Sequence, residues 1–423
     1  MSPKKNSRLV AAEIVFQWLD KQRFPDRSLA RLKQDHAFVL EVVNGVVRNR
    51  NIFLWLESQW LRNEPQLFYR AVLWVGLYQL LFMDNVEEYA AISETVNAAK
   101  AHSGGKGADK MINAVLRRAQ REREQVLSAL AGQPAHIRLS HPRMLLDRWS
   151  REYGEEEAIR LAEWDNLPPE TVLRIEQSAI DAETFVDRLK EAGIEPRLHP
   201  YSAEEIFLVL PRGIAANKVP GYAEGWFTIQ DPATSIAVDL LAPRPGESVL
   251  DACAAPGGKT VMMAGRMNGK GELVAMDIHD DRIAVLKENL GRLGMDWVEL
   301  VQGDARDPVG VLGERKFDAI LLDVPCLNTG VLRRRVDARW RVDEQRIGTI
   351  TQLQDEILTA CSVLLKPRGR IVYSTCSLEP EENEDLAGAW AGRHPDFRLI
   401  KTGKAFPPES GTDGAFAALF RRK

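Results

Sequence analysis

The apolar positions of this chain change their period along its length. Up to about residue 125 they fall three and four apart: Leu9, Ala12, Phe16 and Leu19; then Phe38, Val39, Val42, Val43 and Val46; then Met111, Ile112, Val115 and Leu116. That spacing lines one face of each segment with side chains that leave water, and it predicts amphipathic helices. Ala71–Met83 is apolar nearly all round and should be the central helix of a bundle. His102 to Gly107, rich in Gly and Ser and carrying Lys106, predicts a flexible basic loop between two helices.

A mixed pattern follows from about Ile137 to Gly225. The Pro-rich turn Asn166 to Pro169 precedes a strand at Thr171–Ile175, a helix is expected around Ala182–Ala192, and Ile206–Leu210 reads as a short strand. From Thr234 onward, short apolar runs alternate with helical stretches. The strands are Ser248–Ala252, Leu273–Met276, Trp297–Val301, Asp318–Leu322 and Arg370–Tyr373; the helices are Thr260–Met267, Asp281–Leu293 and Ile347–Leu365. This alternation predicts a parallel sheet with ligands at the carboxyl ends of its strands. Three domains are expected: an all-α bundle over 1–135, a small α+β binding or linker module over 136–229, and an α/β Rossmann-like domain over 230–423.

Composition changes this picture in two places. The net charge of −4 hides a split: residues 1–150 hold 22 Lys+Arg against 15 Asp+Glu, and the remainder 34 against 45. A basic front on an acidic rear suggests that the front docks on a polyanion. The four cysteines, at 253, 326, 361 and 376, form no C-x-x-C pair, and none of the seven histidines lies near them at ligand spacing. No metal site and no disulfide framework are expected, which leaves reduced thiols. The longest apolar run is too short for a membrane span, which needs about 20 residues, and the opening residues lead straight into an amphipathic helix. A cytoplasmic monomer without membrane contact is expected.

The candidate chemistry begins after the first strand of the third domain. The loop Asp251-Ala252-Cys253-Ala254-Ala255-Pro256-Gly257-Gly258-Lys259-Thr260 opens a helix, and its small residues let backbone N–H groups approach a ligand. Asp277 ends the next strand, 20 residues beyond Gly257, where a carboxylate can grip two ribose hydroxyls. Asp304 ends the third, within reach of an adenine edge. Gly258-Lys259-Thr260 would suit the end of a phosphate loop, with Asp323 as its acid, but Cys253 stands where that loop needs its first glycine. S-adenosylmethionine fits better, because it needs a carboxylate for its ribose and no phosphate cradle.

Asp323-Val324-Pro325-Cys326 ends the fourth strand and Ser374-Thr375-Cys376-Ser377 the fifth. Adjacent parallel strands lie about 5 Å apart, so both thiols should open onto one crevice beside the cofactor loop. Two thiols beside a methyl donor suit carbon 5 of cytosine. A thiolate adding to carbon 6 makes carbon 5 nucleophilic, and the adduct must afterwards lose the carbon 5 proton and expel the thiolate.

These segments, with Leu332 to Trp340 and Tyr373 to Glu384, resemble the RsmB/Nol1/Nop2/Sun family of RNA cytosine-C5 methyltransferases. Gln230-Asp231-Pro232-Ala233 is similar to a motif at the start of that family's catalytic domain. The front, with Asn44-Gly45-Val46-Val47-Arg48 and Asn113 to Arg118, resembles a NusB-type RNA-binding domain. The resemblance implies an S-adenosylmethionine-dependent enzyme acting on small-subunit rRNA. It makes Cys376 the nucleophile and Cys326 the residue that assists adduct breakdown. It places Cys253, Ala254, Ala255, Pro256, Gly257, Gly258, Lys259, Asp277, Asp304 and Asp323 around the cofactor. Family members mostly read Ala, Ser and Gly where this chain has Val324, Leu327 and Asn328, so the turn after Asp323 is expected to differ.

Several features have plainer readings. Cys361 sits at core spacing on a helix and is assigned to packing. Glu379 to Glu384 would repel RNA and are read as the acidic first turn of a helix. Arg333, Arg334, Arg335, Arg339 and Trp340 are expected to hold RNA near the target base, although a solvated charged face is the ordinary meaning of such a run. His141-Pro142-Arg143 is read as a structural turn. A nucleotide hydrolase and a non-catalytic RNA-binding assembly or antitermination factor stand as the alternative functions.

Overall fold

A computed structural model describes residues 6–30, 32, 35–102, 107–201 and 205–423, and the chain forms two compact units. Residues 103–106 of the expected basic loop, Lys106 among them, lie outside the described residues.

The first unit runs to Asn166 and also includes Arg335–Trp340. Its main helices include Ser7–Lys21, His36–Arg48, Arg50–Trp60, Leu67–Phe82, Glu88–Lys100 and Ala108–Arg121. Asn6 starts the first, its side chain accepting from the N–H groups of Arg8 and Leu9. Leu67–Phe82 is the central helix: Phe68, Tyr69 and every residue from Ala71 to Leu81 are buried. Gly45 lets it pack closely, since a Cβ there would lie 1.9 Å from the Tyr78 ring. Helices Arg143–Tyr153 and Glu155–Asn166, expected in the α+β module, belong to this unit. The segment before them is held by Asn51, whose side chain donates to the carbonyls of His136 and His141. His141 is buried with Nδ1 2.7 Å from the Leu139 carbonyl, a structural position.

The second unit holds two sheets. Strands β1 (Val172–Ile175), β2 (Arg197–Leu198), β3 (Phe207–Val209) and β4 (Phe227–Ile229) pair antiparallel in the order β2-β3-β1-β4. Helix Ala182–Glu191, capped by Asp181, buries Phe185 and Leu189, and Phe185 stacks on Phe227. The larger sheet comprises β5 (Ser248–Asp251), β6 (Glu272–Asp277), β7 (Glu299–Gln302), β8 (Phe317–Asp323), β9 (Leu365–Thr375), β10 (Phe397–Ala405) and β11 (Ala415–Arg422). Its order is β10-β11-β9-β8-β5-β6-β7; β9, β8, β5, β6 and β7 run parallel, and β11 is antiparallel to its neighbours. This is a Rossmann-like sheet, with Val249, Ala275 and Leu321 packing on one face and Leu250, Met276 and Leu322 on the other. Register sets the site: Asp323 lies opposite Ser374, and Asp277 opposite Gln302, so the candidate residues cluster at the carboxyl edge. Among the described residues, no helix is long and apolar enough to cross a membrane.

Candidate active site

The expected cofactor residues lie on and after β5 and β6. Asp251 is buried, and its Oδ2 accepts from Thr260 Oγ1 at 2.6 Å, which fastens the strand to helix Gly258–Met267. Burial pushes its carboxyl up to about 7. Gly257 turns the loop at φ +107°, and a Cβ there would meet Leu286 at 2.2 Å. Asp277 fixes the loop from the other side. Its Oδ2 accepts from the Ala255 N–H at 3.1 Å and its Oδ1 from the His279 N–H at 3.0 Å. Each oxygen keeps further accepting capacity, and this suits a ligand offering two hydroxyls. Asp304 is engaged by Arg306 at 2.6 Å, and those hydrogen bonds hold its carboxyl below the usual range. Burial drives the Cys253 thiol well above its ordinary pKa, which fits a backbone role for this residue.

The thiol side is built on β8 and β9. Cys326 Sγ and Cys376 Sγ lie 3.2 Å apart, so the two cysteines do share one crevice. The hydrogen bond to Cys376, with burial, raises the Cys326 thiol well above its ordinary pKa. Lys259 reaches across from the cofactor loop and sets its ammonium 2.7 Å from Asp323 Oδ2. Burial opposes that charge, but Asp323, aided by Cys376 and Asp251, outweighs it and holds the Lys259 pKa above the ordinary value. A small cavity of about 40 Å³ adjoins Cys376, lined in part by Thr234, Lys259, Ser374, Asp413 and Phe416. It has room for a few waters rather than for a base.

The turn after Asp323 accommodates its bulkier residues. Val324 and Leu327 are buried, while Asn328 adopts φ +63°, a conformation Asn tolerates better than most residues. Its Nδ2 donates to the Cys326 carbonyl at 2.8 Å, and its Oδ1 accepts from Cys376 Sγ at 3.4 Å.

The sequence did not single out what lies beneath the thiols. Glu382 is fully buried, and its carboxylate accepts from the Leu327 N–H at 3.0 Å, from Gln354 Nε2 at 2.8 Å and from Ser377 Oγ. Burial pushes its carboxyl up to about 7. Thr375 Oγ1 donates to Asn383 Oδ1 at 2.6 Å, and Asn383 Nδ2 to the Ser377 carbonyl at 2.9 Å. The acidic run therefore divides: Glu384 and Asp385 form the first turn of helix Glu384–Arg393, but Glu382 belongs to the core of the site. Cys361 is buried in the sheet's packing, its thiol donating to the Ala305 carbonyl and pushed up to about 12 by burial.

The arginine run differs from the expected RNA-facing row. Arg333 is buried and donates to the Pro168 carbonyl at 2.8 Å. Arg334 pairs with Asp413 at 2.6 Å and Asp231 at 3.2 Å. Arg339 is fully buried in the first unit, donating to the Ser140 and Asp165 carbonyls and to Asn166 Oδ1. Trp340 Nε1 donates to the Val47 carbonyl, and Arg50 lies over its ring. These donors are held by carbonyls and carboxylates of the chain itself; Arg335 alone of the five is exposed.

Comparison with known proteins finds matches along three parts of the chain. The family described as 16S rRNA methyltransferase RsmB/F matches residues 238–421, the NusB family matches 5–121, and an RsmF/B-like ferredoxin-like domain matches 141–215. Ribosomal RNA small subunit methyltransferase B of Klebsiella pneumoniae (strain 342) is 36% identical over 445 residues and covers all of both chains. The protein of that name from Cronobacter sakazakii is also 36% identical over 445 residues, again covering both chains in full. The crystal structure of PH0851 is similar in fold, with a TM-score of 0.79 and 23% identity over 98% of this chain and 99% of that one. A methyltransferase homolog from Pyrococcus horikoshii matches at 30% identity and TM-score 0.60, covering 68% of this chain and 98% of that one. With relatives matching from end to end, the chain belongs to the RsmB/F family of 16S rRNA methyltransferases.

Proposed function

We propose that this protein methylates carbon 5 of a cytosine in small-subunit rRNA, using S-adenosylmethionine and a covalent bond from Cys376 to carbon 6. The observation that carries this reading is the 3.2 Å contact between Cys326 and Cys376 at the ends of adjacent parallel strands. When bound, S-adenosylmethionine supplies an electrophilic methyl group on its sulfonium. Asp277 would hold the ribose, with the loop from Cys253 to Gly258 beside it.

The thiols divide the work. Cys376 adds to carbon 6 as a thiolate, forming the C–S bond and enriching carbon 5 in electrons. Lys259 holds Asp323 in place through their 2.7 Å ion pair. Cys326, its thiol pKa raised by the contact with Cys376 and by burial, can act as a neutral thiol that donates to the sulfur beside it. After methylation, a water acting as base takes the carbon 5 proton, the C–H electrons re-form the carbon 5–carbon 6 double bond, and the C–S electrons leave on the Cys376 sulfur, to which the Cys326 thiol donates. The nucleotide-hydrolase alternative is weakened because Asp323 engages the lysine that would hold phosphate.

Methyl transfer from labelled S-adenosylmethionine to small-subunit rRNA, followed by digestion to nucleosides, tests the reading. Label in 5-methylcytidine supports it. Label in another nucleoside, or none with the protein folded and cofactor-bound, overturns it.

A further inference from the structure

Cys326 and Cys376 sit on separate turns 50 residues apart in sequence, and nothing in the strand pairing alone requires their sulfurs to touch. The Gly330 N–H donates to the Cys376 carbonyl at 3.0 Å, and Asn328 and Thr329 also reach across, but one fully buried carboxylate bonds both turns at the residues next to the thiols. The Glu382 carboxylate accepts from the backbone N–H of Leu327, the residue after Cys326, and from the hydroxyl of Ser377, the residue after Cys376. Its third donor, Gln354 Nε2, also donates to the carbonyl of Pro325, the residue before Cys326, at 2.9 Å. Ser377 Oγ further contacts Thr329 Oγ1 at 3.1 Å, closing the ring from the Cys326 side. Glu382 is itself held, because Tyr373 donates its hydroxyl hydrogen to the Glu382 carbonyl at 2.6 Å and lies near Gln354 Oε1 at 3.0 Å.

A fully buried carboxylate is costly to keep, and an apolar group of similar shape often serves stability as well or better. Here its two oxygens meet three donors from three segments, an arrangement that fixes positions rather than filling space. We infer that Glu382 is a positioning residue that clamps the Cys326 and Cys376 turns together and so sets the contact between the two thiols. The inference takes from the proposed function only the use made of that contact; the clamp itself can be measured without RNA.

Glutamine is the informative replacement. It keeps the size of Glu382 but has one acceptor oxygen: with that oxygen facing Leu327 N–H and Gln354 Nε2, the NH₂ replaces the oxygen that accepts from Ser377 Oγ, and turned round it meets the two donors instead. The test treats the full chain with diamide, an azo oxidant that takes the two thiol hydrogens, is reduced to the hydrazine and leaves a Cys326–Cys376 disulfide. Mass spectrometry follows the rate of bond formation. Wild type should cross-link rapidly, Glu382→Gln several-fold more slowly, and Ser377→Ala more slowly in the same direction. In methyl transfer, Glu382→Gln should lose about tenfold or more in kcat with KM for S-adenosylmethionine nearly unchanged, as for displaced reacting groups. A folded Glu382→Gln protein that cross-links and turns over at wild-type rates overturns the inference. If that variant does not fold, Ser377→Ala decides: slower cross-linking supports the clamp, and an unchanged rate overturns it. A wild-type protein that cross-links rapidly but forms no RNA adduct would defeat the covalent mechanism and leave the clamp standing.

Discussion

Lys259 Nζ lies 2.7 Å from Asp323 Oδ2, and this one ion pair joins the loop after β5 to the end of the thiol strand β8. The sequence reading puts Lys259 beside the cofactor; the structure turns its side chain to Asp323 and to the cavity beside Cys376. Removing the charge should therefore harm chemistry more than cofactor binding. Lys259→Met is expected to slow single-turnover methylation by about a hundredfold, the scale of a lost electrostatic group in a preorganised site. Affinity for S-adenosylhomocysteine should change only a few-fold. A wild-type methylation rate would remove the pair from the reaction.

Asp277 should show the opposite division. A carboxylate accepting two ribose hydroxyls makes charge-assisted hydrogen bonds, so Asp277→Ala should weaken cofactor binding by about 1.5–3 kcal/mol. RNA affinity should stay near wild type. Calorimetry with S-adenosylhomocysteine checks this, and an unaltered dissociation constant would exclude the residue from the cofactor site.

Asp251 gives a pH dependence with a definite sign. Burial raises its carboxyl to about 7, well above the ordinary aspartate range, so the folded chain keeps this proton where the unfolded chain has lost it. Its contribution is full below about pH 4 and disappears as pH rises through about 7. Asp251→Asn cannot titrate and should flatten the wild-type decline across that window, a difference on the order of 3 kcal/mol. Denaturant unfolding of both proteins at several pH values between 4.5 and 7.5 measures it. Parallel curves would place the carboxyl's pKa near its ordinary value.

Arg339 and Arg335 should separate stability from RNA binding. Arg339→Ala leaves the Ser140 and Asp165 carbonyls and Asn166 Oδ1 without their donor, at a cost on the order of 3 kcal/mol. Arg335 is exposed, with Asp26 3.9 Å away, and Arg335→Ala should move stability by less than about 0.5 kcal/mol. Only Arg335→Ala should lower RNA affinity directly, reducing the salt slope by about 1 if it meets a phosphate. Filter binding across salt concentrations, with unfolding curves beside it, separates the two.

Periodicity predicts best where a face is wholly buried. The all-apolar Ala71–Met83 appears as the buried helix Leu67–Phe82, and the strands at 248, 273 and 318 appear within a residue or two. It fails at β10 and β11, which the sequence reading does not contain. β10 lies at the sheet edge, with Arg398, Ile400, Lys401 and Thr402 exposed, and its mixed pattern resembles a loop. That the two cysteines end neighbouring strands is legible, because the parallel pairing of β8 and β9 places their ends side by side; the 3.2 Å contact between the sulfurs is not. Glu382 is not, since a carboxylate in an acidic run looks solvated until the fold shows Leu327, Gln354 and Ser377 around it. The arginine run misleads for the same reason: its partners Asp231, Asp413 and Asn166 are distant in sequence.

The most direct test of the covalent account changes each thiol in turn and looks for a protein–RNA adduct. Both variants are incubated with S-adenosylmethionine and small-subunit rRNA, trimmed with nuclease and run on a denaturing gel. Cys376→Ser should give neither methylation nor adduct, because a serine hydroxyl is hardly ionised at neutral pH and cannot add to carbon 6. Cys326→Ser should methylate about one RNA per enzyme and then accumulate a slow-migrating complex, because the steps that free Cys376 are impaired. An adduct in Cys376→Ser but not in Cys326→Ser would exchange the two roles. Adduct in neither, with both proteins folded and cofactor-bound, would contradict the covalent mechanism.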